Sequence, residues 1–229
     1  RLKGHGRRAS GVAVSKDGKK VASGGADGQL RVWDAATGKQ LFEAKADPEV
    51  VFAVAYRPDR VEAIFGDGAE LGMAIRYAVE EQPLGTGGAL RNAVPHLDER
   101  TIVLNGDVLA DVDLAAALDR HQRTEASATL VLTPVPNPSA YGLVEVDGDG
   151  RVTRFLEKPD PKDVTTDTIN AGIYVLETRI LDLIPPGAAH SIERAFYPTL
   201  LARGDRVTGW VHRGYWIDIG TPEKYLQVH

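Results

Sequence analysis

The sequence predicts an α/β fold, in which a doubly wound and mostly parallel sheet follows a small antiparallel β meander. From about residue 72 onward, short apolar runs alternate with runs of helical periodicity, and a Gly-rich hairpin at 147–150 interrupts them. This alternation is typical of a parallel sheet covered by helices, with a β insertion. In residues 2–46, apolar and polar residues instead tend to alternate over four short runs, which predicts an antiparallel sheet.

Composition narrows the class of protein. The 229 residues are 43% hydrophobic, which suffices for one large domain or two small ones. The absence of cysteine excludes disulfides and thiolate metal sites. The net charge is -5, and basic residues are dispersed except for six within residues 3–20, which are too few for a nucleic-acid face, so we expect no nucleic-acid partner. No apolar run approaches the roughly 20 residues of a membrane span, and we expect a cytoplasmic protein that binds no membrane.

The N-terminal segment is expected to form four strands in one sheet. Glycine accepts the positive φ that tight hairpin turns require. Glycine-containing turns separate the four runs at Asp17-Gly18, Asp27-Gly28 and Thr37-Gly38.

Several dipeptides make residues 2–46 resemble one blade of a WD-repeat propeller, namely Gly4-His5, Asp27-Gly28 and Trp33-Asp34. The resemblance implies a buried, hydrogen-bonded set of four side chains, which here would be His5, Ser23, Asp27 and Trp33. A closed propeller needs roughly 4 to 8 blades, and a single blade leaves strand edges exposed. We therefore expect homo-oligomers that form through the exposed blade edge.

The segment after the blade has two interpretations. Residues 47–56 fit either the first strand of another blade or a strand of the following α/β domain. A helix is expected next, beginning at Pro58 and ending before Gly66, with a buried stripe of Val61, Ile64 and Phe65.

Six motifs follow in order: PLGTGGAL (83–90), LNGD (104–107), YGLVEVD (141–147), FLEKP (155–159), NAGIYV (170–175) and YWIDIGTPE (215–223). Through them, residues from about 47 onward resemble the sugar-1-phosphate nucleotidyltransferase family, including mannose-1-phosphate guanylyltransferases and glucose-1-phosphate thymidylyltransferases. The resemblance implies a Rossmann-like nucleotidyltransferase sheet in a domain spanning 47–229, after a blade spanning 1–46.

One family feature is missing from the sequence. No Gly-rich GGxGTRL-like loop followed by a PKP-type lysine occurs in the chain. Amides of such a loop hold phosphate oxygens, and its cations offset charge in the transition state. The resemblance therefore implies a domain without its first strand, Gly-rich loop and first helix, and we expect impaired turnover.

Two aspartates are the expected catalytic and metal-binding residues. Asp107 ends the strand-like run TIVLNGD, and Asp218 lies in the run YWIDIG. Ligands of such sheets bind at the carboxyl ends of the strands, and two carboxylates there suit Mg²⁺. By resemblance, Asp107 and Asp218 are the Mg²⁺ ligands.

The resemblance also implies binding sites for both substrates, a nucleoside triphosphate and a sugar 1-phosphate. A carboxylate only accepts hydrogen bonds and so suits the donors of guanine, which favours GTP, with either Glu80 or the adjacent Glu81 pointing inward. The remaining nucleotide-binding residues would be Gly85, Thr86 and Gly87. The sugar phosphate would be held by Tyr141, Gly142, Glu157, Lys158, Asn170 and Gly172.

The sequence thus predicts a Mg²⁺-dependent enzyme that converts an NTP and a sugar 1-phosphate into an NDP-sugar and pyrophosphate. Two alternatives stay open. In the first, the chain is a non-enzymatic WD-repeat-type binding module. In the second, it is an artificial or recombined chimera without a selected function. The sequence identifies neither the sugar nor the oligomeric state, and it leaves open whether the blade joins the α/β sheet.

Overall fold

A computed structural model describes residues 9–14, 19–25, 29–45, 49–54, 58–71 and 73–228. The chain divides into two compact units, Arg1–Gln82 and Pro83–His229. The predicted domain boundary after residue 46 therefore falls inside the first unit, and the predicted division itself stays a prediction. No helix among the described residues is long and apolar enough to cross a membrane.

The first unit begins with a four-stranded antiparallel sheet in the order β1-β2-β3-β4. Its strands are β1 (Ala9–Val14), β2 (Lys20–Gly25), β3 (Gln29–Asp34) and β4 (Gln40–Lys45). The predicted meander is therefore confirmed. β1 and β4 are its outer strands, and self-association through such an edge stays a prediction.

The turn between β3 and β4 shows why the sequence forms a hairpin there. The Asp34 carboxylate accepts hydrogen bonds from the backbone N–H groups of Ala36 and Thr37, at 3.1 and 2.7 Å. Gly38 has a φ of +69°, which a glycine adopts without strain. Trp33 is buried, but His5 and Asp27 lie outside the described residues, so the predicted four-residue set stays a prediction.

The second part of this unit is a β-α-β arrangement. β5 (Glu49–Val54) pairs in parallel with β6 (Ala74–Val79), and helix α1 (Pro58–Phe65) connects them. A parallel pair joined by a helix excludes the interpretation of residues 47–56 as the start of another antiparallel blade. The bounds predicted for α1 are confirmed, but its buried stripe is wrong, because Ile64 and Phe65 are 74% and 41% exposed.

The second unit alternates strands and helices. Its strands are β7 (Arg100–Leu104), β8 (Val108–Ala110), β9 (Ala128–Pro134), β10 (Gly142–Val146), β11 (Val152–Glu157), β12 (Thr168–Glu177), β13 (Val207–Val211) and β14 (Trp216–Asp218). Its α-helices are α2 (Gly85–Ala93), α3 (Leu114–Arg123), α4 (Tyr197–Ala202) and α5 (Pro222–Leu226), and a π-helical turn at Ile192–Phe196 precedes α4.

The larger sheet has the order β11-β10-β12-β9-β13, and β7 pairs with the second half of β12. The α/β class is confirmed, and the sheet is mixed. β13 pairs in parallel with β9, whereas β12 pairs antiparallel with β7, β9 and β10. The prediction of a mostly parallel sheet therefore does not describe this sheet. The β10–β11 hairpin is the predicted β insertion, and short turns can join only antiparallel strands.

Strands β9 and β12 form the centre of the hydrophobic core. Leu130 and Leu132 point to a cluster that includes residues of α4, and Val131 points to a second cluster that includes Ala117 of α3. Successive side chains of a strand point to opposite faces, so apolar side chains cover both faces of the sheet. This is the three-layer arrangement that the sequence predicts.

A buried polar network crosses this core beside α3. His121, 1% exposed, lies 2.9 Å from the Thr129 hydroxyl through Nδ1 and 3.2 Å from the Glu177 carboxylate through Nε2. Thr129 contacts Thr208 at 2.9 Å, and Arg100 pairs with Glu177 at 2.6 Å. Burial lowers the pKa of His121 and outweighs the opposing effect of the hydrogen bond to Glu177.

This lowered pKa predicts a pH-dependent stability. The unfolded chain takes up a proton near the usual histidine pKa of 6.5, whereas folded His121 resists protonation. His121 therefore contributes stability that is present above pH 6.5 and is lost as the pH falls towards its folded pKa. Urea unfolding of the wild type should show a free energy that declines below this pH. His121→Gln should decline less steeply, and equal slopes would contradict the assignment.

Candidate active site

A short ladder brings Asp107 and Asp218 together, although they are far apart in the sequence. β14 pairs antiparallel with β8, and Asp218 lies opposite Val108. The ladder continues past the strand end, because the N–H of Ile219 donates to the carbonyl of Asp107 at 2.8 Å. Two backbone segments are thereby fixed side by side, each with an aspartate at the same end.

Both carboxylates converge on Gly220. A Cβ atom at this glycine would lie 2.9 Å from Asp218 Oδ1 and 3.5 Å from Asp107 Oδ2, so these oxygens are separated by no more than the sum of the two distances. Carboxylate oxygens are hard ligands of the kind that suits Mg²⁺, which binds one or two protein carboxylates and fills its other positions with water and phosphate. Among the described residues, no group of three or more metal-binding side chains occurs.

Lys224 provides a cation next to the carboxylates. Its ammonium group donates to Asp218 Oδ2 and to the Tyr141 hydroxyl, each at 3.0 Å, and it lies 5.2 Å from the centre of the Tyr141 ring. Burial tends to raise the pKa of Asp218, but the Gly220 N–H and Lys224 outweigh it and lower that pKa. Asp218 is therefore ionised at neutral pH.

A pocket of about 450 Å³ opens beside this pair of residues. Tyr141, Trp216 and Asp218 line it, together with residues 133–137. The rings of Tyr141 and Trp216 meet edge to face with their centres 5.6 Å apart, and the Trp216 indole N–H donates to the carbonyl of Ala171 at 2.9 Å. The pocket thus has an aromatic wall of fixed orientation and a carboxylate at its edge.

Glu157 is the last residue of β11, and Lys158 follows it and bonds to Tyr141, which lines the same pocket. The N–H of Lys158 donates to the carbonyl of Tyr141 at 2.9 Å, and Lys158 has a φ of +49°, unusual for a residue with a side chain. Burial and the nearby Glu193 raise the pKa of Glu157, against the effect of Lys158. Gly142 is tightly packed, because a Cβ there would lie 3.0 Å from both Glu157 Oε2 and Phe155 Cζ, so these neighbours would have to shift.

Asn170 and Gly172 form a kink in β12 next to the aspartates. Asn170 donates to the Tyr174 hydroxyl at 2.8 Å and accepts from the Gly172 N–H at 3.1 Å. Gly172 has a φ of +75°, and its carbonyl accepts from the N–H of Asn105 at 2.8 Å. The kink is therefore bonded to the segment that carries Asp107.

The expected nucleotide-binding residues occupy the start of helix α2 and the position after β6. Gly85, Thr86 and Gly87 begin helix α2, where the Gly87 N–H donates to the carbonyl of His190 at 2.8 Å. The Thr86 hydroxyl donates to Glu193 at 2.9 Å. Glu80 is buried after β6 in the first unit. Nucleotide binding by these four residues stays a prediction.

Three further residues contact the expected site residues, although the sequence predicted no role for them, namely Asn105, Glu193 and Lys224. The Thr221-Pro222 pair marks the start of α5, and the Thr221 hydroxyl accepts from the Lys224 N–H at 3.3 Å. This capping signal is visible in the sequence. It predicts the helix, but it does not predict that Lys224 reaches back to Asp218.

The chain belongs to the nucleotidyl transferase family, whose sequence model matches residues 4–229. The matched range includes most of the segment that resembles a WD-repeat blade, and that second resemblance stays a prediction.

Similar proteins agree with this family. Mannose-1-phosphate guanylyltransferase from Mycobacterium tuberculosis is 46% identical over 180 residues, which cover 78% of this chain and 50% of that protein. Mannose-1-phosphate guanyltransferase from Yarrowia lipolytica is 38% identical over 183 residues, or 78% of this chain and 49% of that protein. The chain spans about half the length of these curated relatives. The crystal structure of HddC from Yersinia pseudotuberculosis superposes with a TM-score of 0.67 at 26% identity, covering 78% of this chain and 76% of that one.

The position of Gly220 between the carboxylates predicts the effect of a methyl group. In Gly220→Ala the new Cβ would meet Asp218 Oδ1 at 2.9 Å, and we expect a loss of about 1–3 kcal/mol in the free energy of unfolding, typical of overpacking. Gly106→Ala is the matched control, because no atom lies within 4 Å of its Cβ position. Urea unfolding measures both variants, and equal losses would refute the crowding at Gly220.

Proposed function

We propose that this chain is a Mg²⁺-dependent sugar-1-phosphate nucleotidyltransferase that joins a guanine nucleotide to mannose 1-phosphate, with impaired turnover. The observation that carries the proposal is the convergence of Asp107 and Asp218 on Gly220, beside a pocket lined by Tyr141 and Trp216. A carboxylate pair next to a partly aromatic pocket with nearby lysines suits a metal-bound sugar phosphate.

The names of the relatives support the choice of substrates. Two relatives are named for mannose 1-phosphate and for guanylyl or guanyl transfer. HddC, which has the same fold, has also been crystallised in complex with GMP-PN. We expect Glu80 or Glu81 to accept hydrogen bonds from the donors of guanine, and this expectation agrees with the names of the relatives.

The proposed reaction needs positioning more than covalent chemistry. A phosphate oxygen of the sugar 1-phosphate attacks the α-phosphorus of the nucleotide, and the bond to the departing pyrophosphate breaks. Asp107 and Asp218 would hold Mg²⁺, which neutralises charge on phosphate oxygens when it is bound. Lys158 would contact the sugar phosphate as a point charge. Tyr141 and Trp216 would orient the sugar at the pocket wall.

Impairment is proposed because the sequence contains no Gly-rich triphosphate loop. The residues proposed to bind the sugar 1-phosphate would then still bind it, whereas the transition state would lose much of its electrostatic stabilisation.

Calorimetric titration and a pyrophosphate-release assay test the proposal together. We expect mannose 1-phosphate to bind in the presence of Mg²⁺, and GTP to yield pyrophosphate slowly. Asp107→Asn should abolish that release, because it removes one proposed metal ligand. Asp119→Asn is a matched control, since Asp119 is an exposed helical residue paired with Arg123.

The outcomes separate the two parts of the proposal. Absence of both binding and pyrophosphate release would reject the sugar-1-phosphate nucleotidyltransferase function. Fast release that is sensitive to Asp107→Asn would support the function and reject the impairment.

A further inference from the structure

The ammonium group of Lys224 forms an ion pair with Asp218. Neither the sequence motifs nor the similar proteins assign a role to Lys224. Its backbone is fixed at the start of helix α5, where Thr221 caps the helix and Pro222 occupies its first turn. Its ammonium group is fixed by Asp218 and the Tyr141 hydroxyl, each at 3.0 Å. A lysine with both ends held has lost most of the rotamer freedom that a ligand would otherwise have to restrict.

The ammonium group still has capacity for a ligand. A lysine has three N–H donors, and Asp218 and Tyr141 accept two of them. The side chain of Lys224 is 31% exposed, so the third donor can reach solvent or a bound group. Both acceptors line the pocket of about 450 Å³, so the ammonium group lies within hydrogen-bond distance of two lining residues.

The charges around the pocket indicate which kind of ligand suits this donor. A phosphate that enters beside Asp107 and Asp218 meets two carboxylates, and like charges repel strongly where water is partly excluded. Lys224 offsets the charge of Asp218, and Lys158 also acts on Asp218 electrostatically. Tyr141 accepts from Lys224 and keeps its own O–H to donate. An ammonium group and a phenolic O–H that lie 3.0 Å apart can both donate hydrogen bonds to one anionic group.

We propose that Lys224, held by Tyr141 and Asp218, is a further binding residue of this site and contacts the phosphate of the sugar 1-phosphate. The inference rests on the proposed function and adds a second cation to Lys158. Lys224 then recognises the charged end of the substrate, while the aromatic wall formed by Tyr141 and Trp216 contacts its sugar.

Calorimetric titrations of mannose 1-phosphate and of uncharged mannose test this role, because the two ligands differ only in the phosphate. In Lys224→Met we expect the affinity for mannose 1-phosphate to fall about tenfold, as for one lost hydrogen bond to a charged group. The affinity for mannose should not change. Lys224→Arg keeps the charge and should restore most of the affinity, so it tests the same point if the methionine variant folds poorly.

Lys162→Met is the matched control, because Lys162 is a surface lysine, 76% exposed and 3.6 Å from Asp160. It should bind both ligands like the wild type. An equal loss for mannose and mannose 1-phosphate in Lys224→Met would show that Lys224 only supports the pocket wall, and it would overturn the inference. An unchanged affinity for mannose 1-phosphate would overturn it as well. Failure of the wild type to bind mannose 1-phosphate would also overturn the inference, and together with absent pyrophosphate release it would reject the proposed function.

Discussion

The antiparallel pairing of β8 with β14 is the constraint on which the whole site depends. It contains only three residue pairs, and one backbone hydrogen bond from Ile219 to Asp107 extends it. This ladder limits the separation of the two carboxylates, because it fixes the backbone segments that carry them side by side. Gly220 completes the arrangement, since a Cβ there would lie 2.9 Å from Asp218 Oδ1 and would force a shift of this carboxylate or of the backbone.

The charges of the site are arranged around this ladder. Lys224 and the Gly220 N–H stabilise ionised Asp218 and lower its pKa, whereas burial and Glu193 raise the pKa of Glu157. One carboxylate is thus kept charged for a cation, and the other is shifted towards its protonated form within the same unit.

The sequence predicted the features that depend on local patterns. The antiparallel meander and the bounds of α1 were predicted from turn glycines, from alternation and from Pro58. The placement of Asp107 and Asp218 at strand ends was expected from motif positions. The antiparallel pairing of β12 could not be predicted, because the order of strands and helices along the sequence does not determine which strands pair. The contact of Lys224 with Asp218 depends on the angle at which α5 leaves β14, and no periodicity encodes that angle.

The proposed activity requires that Asp107 and Asp218 bind one divalent cation together. Titration with Mn²⁺, followed by the loss of its free-ion electron paramagnetic resonance signal, measures this most directly. We expect one site in the wild type that is lost in both Asp107→Asn and Asp218→Asn and kept in Asp119→Asn. One Mn²⁺ site of unchanged affinity in either of the first two variants would contradict joint binding by the two aspartates.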